Sequence, residues 1–127
     1  MKVFRIHLEV EKLDRTAGFY SALLGLQGTR LPGHRHYFDC DGVIVALIDV
    51  SAGGQEATAL PTDVYFAVPN LEAVHERARS LDALSTGEVH GEPAGEIVVR
   101  PWGERSFYAV DAFGNGLCFV DEKTLHR

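Results

Sequence analysis

Apolar and polar positions alternate strictly along residues 3–10: Val3, Arg5, His7 and Glu9 share one face, and Phe4, Ile6, Leu8 and Val10 share the other. The spacing predicts a β-strand whose apolar face lies against a helix and whose polar face looks elsewhere. From about Asp14 to Leu24 the period lengthens, with Ala17, Phe19 or Tyr20, Leu23 and Leu24 near helical spacing. Gly25 follows as a stop, so a helix is predicted. The same sentence then recurs about 58 residues on. Residues 3–26 (VFRIHLEVEKLDRTAGFYSALLGL) and 61–84 (PTDVYFAVPNLEAVHERARSLDAL) align without gaps. Val10 falls on Val68, Leu13 on Leu71 and Leu23 on Leu81; Ile6 and Leu8 fall on Val64 and Phe66, and Asp14 on Glu72. Each copy is one strand–helix unit, and two copies imply internal pseudo-symmetry with a site where they meet.

The remainder of each copy reads as strands. Tyr37–Cys40 and Val43–Ile48 flank Asp41-Gly42, a strong signal for a tight hairpin. In the second copy a strand is predicted at 63–68, a helix at about 71–82, and strands at about 96–101, 106–111 and 116–121. Asn70 occupies the helix N-cap position, with Ala73 where a full capping box would need an acid. Residues 87–95 (GEVHGEPAG) are an insertion. The expected architecture is α+β: two tandem βαβββ modules, about 1–50 and 61–122, joined by a connector at 51–60 and forming one domain over 1–127.

Bulk properties narrow the partners. A chain of 127 residues can bury roughly two-thirds of its unfolded surface, whereas each half alone would be marginal. A formal charge of −6 and no basic run argue against nucleic acid. No apolar run approaches the roughly 20 residues that span a bilayer. Two cysteines, Cys40 and Cys118, are too few for a disulfide framework, and no secretion signal opens the sequence, so a cytoplasmic protein with free thiols is expected.

The βαβββ repeat, the FY..LLGL at Phe19–Leu26 and the closing YAVDAFGNGLCFVDE at 108–122 together resemble the vicinal oxygen chelate superfamily, the glyoxalase, bleomycin-resistance and dioxygenase-like proteins. The resemblance spans essentially the whole chain. It implies strands curled into half-cups around one pocket, with helices outside. In many such proteins the pocket holds a divalent metal that chelates adjacent substrate oxygens; others bind a drug without metal. It also implies a homodimer, since such cups are commonly built from paired or exchanged modules.

Carried onto this sequence, the metal-ligand positions are His7, Tyr65, Ala46 and Cys118. Only His7 suits a hard divalent ion, so no metal and no cofactor are expected, and His7 is read as a hydrogen-bonding pocket residue. The favoured function is metal-free sequestration of a small, aromatic or drug-like molecule. His7, Tyr65, Trp102, Arg100 and Cys118 are its anchors, and Arg5 and Glu9 its polar partners. The Val99–Tyr108 stretch supplies a tryptophan beside arginine for stacking and pairing a planar ligand. The alternative for that stretch is a core cap, with Arg100 and Arg105 paired to Glu104, Glu96 or Asp111. Arg5 and Glu9 are expected to pair across the strand face. His34 and His36 share a face if extended, and are read as solvated or at a pocket rim; His75 is read as surface.

Two rivals remain. One is a metal-dependent lyase, isomerase or dioxygenase using His7 with Glu9 or Cys118 and one of His34 and His36. The other is a regulatory subunit with a vestigial pocket.

Overall fold

A computed structural model describes residues 1–126. The chain divides into two compact units, residues 1–60 and Pro61 onwards, and each repeats one topology. In the first, β1 (Arg5–Val10) leads into α1 (Leu13–Leu24), then β2 (Thr29–Leu31), β3 (Arg35–Cys40) and β4 (Val43–Asp49). The sheet order is β1-β4-β3-β2, with β1 parallel to β4 and the other pairs antiparallel. The Asp41-Gly42 turn has φ of 53° and 94°, the two positive values that a type I′ hairpin requires.

Helix α1 starts without a side-chain cap of its own; Asp49 at the end of β4 accepts the Leu13 N–H at 3.2 Å instead. It buries Leu13, Thr16, Ala17, Tyr20 and Leu23 against the apolar side of the sheet, where Leu8, Val10, Phe38, Val45 and Leu47 are closed to solvent. Each fully buried large side chain there contributes about 1.5–3 kcal/mol. The helix leaves at Gly25, whose φ of 68° suits glycine.

The second unit runs β5 (Val64–Val68), α2 (Leu71–Ser80), a small hairpin of β6 (Glu88–Val89) and β7 (Glu92–Pro93), then β8 (Val98–Val99), β9 (Arg105–Val110) and β10 (Gly116–Asp121). Its main sheet is ordered β5-β10-β9-β8, the same plan as the first. Asn70 caps α2 by accepting the Ala73 N–H. The helix side is filled by Leu71, Val74 and Ala78 against a stack of Phe66, Phe119 and Phe107, with ring centroids 5.1 and 5.3 Å apart.

Several sequence expectations shift. Strand β2 escapes the hydropathy pattern, the strand expected at 96–101 shrinks to Val98–Val99, and the 87–95 insertion folds into the β6–β7 hairpin. His75 is no plain surface residue. Its Nε2 lies 2.8 Å from the Gly95 carbonyl and its ring meets Phe107 edge-on at 4.8 Å, tying the insertion to α2.

Candidate functional site

Strand alternation puts one set of side chains on the face of each sheet away from its helix, and the ladders align them in rows. In the first unit the central row is His7 on β1, Ala46 on β4 and Tyr37 on β3. In the second it is Tyr65 on β5, Cys118 on β10 and Tyr108 on β9.

The first row is open to solvent at His7, with Ala46 buried beneath and Tyr37 half-buried. Arg5 donates from Nε to His7 Nε2 at 2.9 Å, and its guanidinium carbon sits 5.6 Å from the Tyr37 ring centre. From the other end of the face Arg35 donates to the Tyr37 hydroxyl at 2.6 Å and lies 5.7 Å from the same ring. Loss of hydration, then the charges of Arg5 and Arg35, hold the His7 pKa below its ordinary value. Glu9 Oε1 accepts the Thr58 N–H at 3.1 Å, and Glu11 Oε2 accepts that of Ala57 at 3.0 Å, pinning the connector to this module. Arg5 thus engages His7 and two aromatic rings, and the expected Arg5–Glu9 ion pair is not among the contacts of the described residues.

The second row is closed over by its own module. Ala94, with Val89 of β6 and Leu125 of the C-terminal segment, packs on Tyr108, Cys118 and Val120. Tyr65 is 56% exposed, yet its hydroxyl hydrogen-bonds to Tyr108. Burial first, then that bond, push the Tyr108 hydroxyl above its usual pKa. Burial also pushes the Cys118 thiol up to about 11 despite hydrogen bonds to Ser106 and Tyr108, so the thiolate is suppressed.

Arg100 is 2% exposed. Its Nε donates to Ser106 Oγ at 3.1 Å, and its Nη2 to the carbonyls of Ser106 at 3.1 Å and Glu96 at 3.3 Å. The guanidinium lies 5.1 Å from the Tyr108 ring centre, and Nη1 is buried with no hydrogen-bond partner. Arg100 is therefore chiefly a strut of its own module, with the two N–H groups of Nη1 left over. Trp102, 39% exposed, donates to Glu104 at 2.9 Å and meets His90 edge-on at 5.2 Å. Of the alternative core-cap pairings, Arg105 pairs instead with Glu72 and Asp121, which reach it from α2 and β10.

His34 and His36 do not share an extended face. His34 has φ of 59°, while His36 lies beside Phe38 on the helix side of β3, 5.0 Å from its ring. His36 Nδ1 accepts from Arg30. His34 instead lines an open groove of about 460 Å³ with Leu13, Asp14, Arg30 and Asp49.

Over most of its length the chain superposes on solved structures that share its fold. A glyoxalase/bleomycin resistance protein from Albidiferax ferrireducens T118 matches with a TM-score of 0.74 at 20% identity, over 92% of this chain and 95% of that one. The fold is that of the vicinal oxygen chelate superfamily. A bleomycin resistance determinant encoded on transposon Tn5 matches with a TM-score of 0.71 at 15% identity, over 97% of this chain and 99% of the other. A lactoylglutathione lyase from Agrobacterium tumefaciens gives 0.64 at 20% identity, over 96% and 94%. Structural neighbours in the superfamily thus include both enzymes and binding proteins. No family model and no curated protein matches the sequence.

The four positions that the sequence resemblance assigns to a metal, His7, Ala46, Tyr65 and Cys118, carry an imidazole, a methyl group, a phenol and a protonated thiol, and the ladders pair His7 with Ala46 and Tyr65 with Cys118. That set does not fit a hard divalent ion, which wants carboxylates and imidazoles. Among the described residues no three His, Cys, Asp or Glu side chains gather as a metal site. Sequence reasoning missed Arg35, Tyr37 and Tyr108, each of which shares a row or a ring contact with a residue it did choose.

Proposed function

We propose that the protein binds a small conjugated molecule directly through side chains, with no metal between them. The observation that carries this reading is the pair of central rows. His7 with Tyr37, and Tyr65 at the exposed end of the second row with Tyr108 and Cys118 buried behind it, put ring faces and hydrogen-bonding groups where a metal cage would need a set of carboxylates and imidazoles. His7 and Tyr65 are the exposed anchors. Arg5 and Glu9 set the polarity around His7, Arg100 and Cys118 shape the wall behind Tyr65, and Trp102 stacks at its margin. In this reading residues 1–127 work as one domain, cytoplasmic and homodimeric, with a small molecule as its ligand and neither nucleic acid nor membrane as partner. Sedimentation equilibrium checks the dimer.

The rival reading, a metal-dependent lyase, isomerase or dioxygenase, draws on the lactoylglutathione lyase likeness. It needs His7 joined by Glu9 or Cys118 and by His34 or His36. His36 lies across the sheet from His7, and Cys118 is held protonated. Elemental analysis decides between them. The binding reading expects well under one equivalent of any divalent metal after purification. A full equivalent that disappears in His7→Ala would establish the rival. Thermal shift against a panel of aromatic compounds then checks binding itself: a ligand at 100 times its Kd adds about 2.7 kcal/mol of stability.

A further inference from the structure

Arg5 and Arg35 stand on the same open sheet face, and neither forms an ion pair with a carboxylate among the described residues. This is unusual company in a chain of net charge −6. The two carboxylates on that face are already engaged with backbone, Glu9 with the Thr58 N–H and Asp39 with the Gly42 N–H. Among the described residues Arg5 uses only Nε, on His7, and Arg35 only Nη1, on Tyr37; each guanidinium carries five donors, so terminal N–H groups remain on both. The two cations flank one aromatic ring, which holds them in place without neutralising them. The arrangement recurs in the second module, where Arg100 lies over Tyr108 with no carboxylate partner among the described residues and an Nη1 without a hydrogen-bond partner.

We infer that the ligand is an anion: a conjugated carboxylate whose oxygens are taken by Arg5 and Arg35 while its ring packs beside Tyr37 and His7. This rests on the binding role proposed above and adds the ligand's charge and the residues that read it. The guanidinium fork matches a carboxylate in two parallel hydrogen bonds, and the half-buried setting of Arg35 and Tyr37 strengthens them relative to open water. His7, accepting from Arg5 at Nε2, keeps its other ring nitrogen for a further contact with the ligand.

The test compares two probes of one shape, 2-naphthoate and its neutral amide, titrated into the wild-type protein and into Arg5→Gln and Arg35→Gln, with far-UV circular dichroism confirming the fold. The acid should bind at least tenfold more tightly than the amide. Each glutamine variant should lose about tenfold for the acid and change little for the amide, and Arg35→Lys should recover only part of the loss. Equal affinities for acid and amide, or an acid affinity unmoved in both variants, would overturn the inference and leave the binding role standing. Binding confined to neutral or cationic members of the aromatic panel would do the same. If no compound of any charge binds, the binding role itself fails.

Discussion

Replacing Arg100 by methionine is the sharpest perturbation of the second module. Three hydrogen bonds from a charged donor vanish, and each such bond is worth about 1.5–3 kcal/mol. The gross loss is therefore about 5–9 kcal/mol. Against it stands the desolvation of a guanidinium 2% exposed and without a carboxylate, a penalty of several kcal/mol that methionine does not carry. The difference leaves Arg100→Met destabilised by about 2–4 kcal/mol. At about 3–5 °C per kcal/mol for a chain of this size, that is a drop of about 6–20 °C in Tm. Arg100→Lys should be no better than methionine. Its ammonium keeps the buried charge but cannot span Ser106 and the Glu96 carbonyl together. Urea unfolding and thermal melts of the three proteins check the two numbers. A methionine variant within 0.5 kcal/mol of wild type, or a lysine variant that restores it fully, would refute the strut assigned to Arg100.

His7 should titrate below 6.5 by NMR, and Arg35→Gln should move that value upward by removing one of the charges that depress it. The sign follows for stability. The folded state holds the His7 proton less tightly than the unfolded chain, so this contribution is absent above pH 6.5 and becomes a small loss as pH falls below it. Both thiols are pushed up to about 11, so at pH 8 about 0.1% of each is thiolate. A thiol-reactive disulfide reagent should label Cys118 only as fast as the protein opens, and both cysteines at once in denaturant; fast native labelling of Cys118 would contradict its burial under Ala94.

Where the sequence was readable, it was because periodicity ran long enough to show. The alternation of β1, the stripe of α1 and the Asp41-Gly42 turn each commit several consecutive residues to one geometry. Strand β2 is three residues between Gly28 and Pro32, too short for any period, and β6 and β7 are two residues each. The tyrosines that complete the two rows were hidden by a different cause. The β3–β4 turn spans two residues and the β9–β10 turn five, so no single offset carries Tyr37 onto Tyr108, and only the ladder registers equate them. Arg100 read as a ligand contact because an arginine beside Trp102 is exposed in most settings; its burial depends on Ser106 and the Glu96 carbonyl folding back on it. The chemistry of the metal positions, by contrast, could be read from residue identity alone.

The central claim is direct binding at an open sheet face without a metal. Protein-observed ¹H–¹⁵N NMR of a fragment library against chelator-dialysed protein tests it most directly. The account predicts shifts that cluster on β1 and β3 around Arg5, His7, Arg35 and Tyr37 and persist in EDTA. Shifts that emerge only when a divalent ion is added, or a library that leaves those residues unmoved, would contradict it.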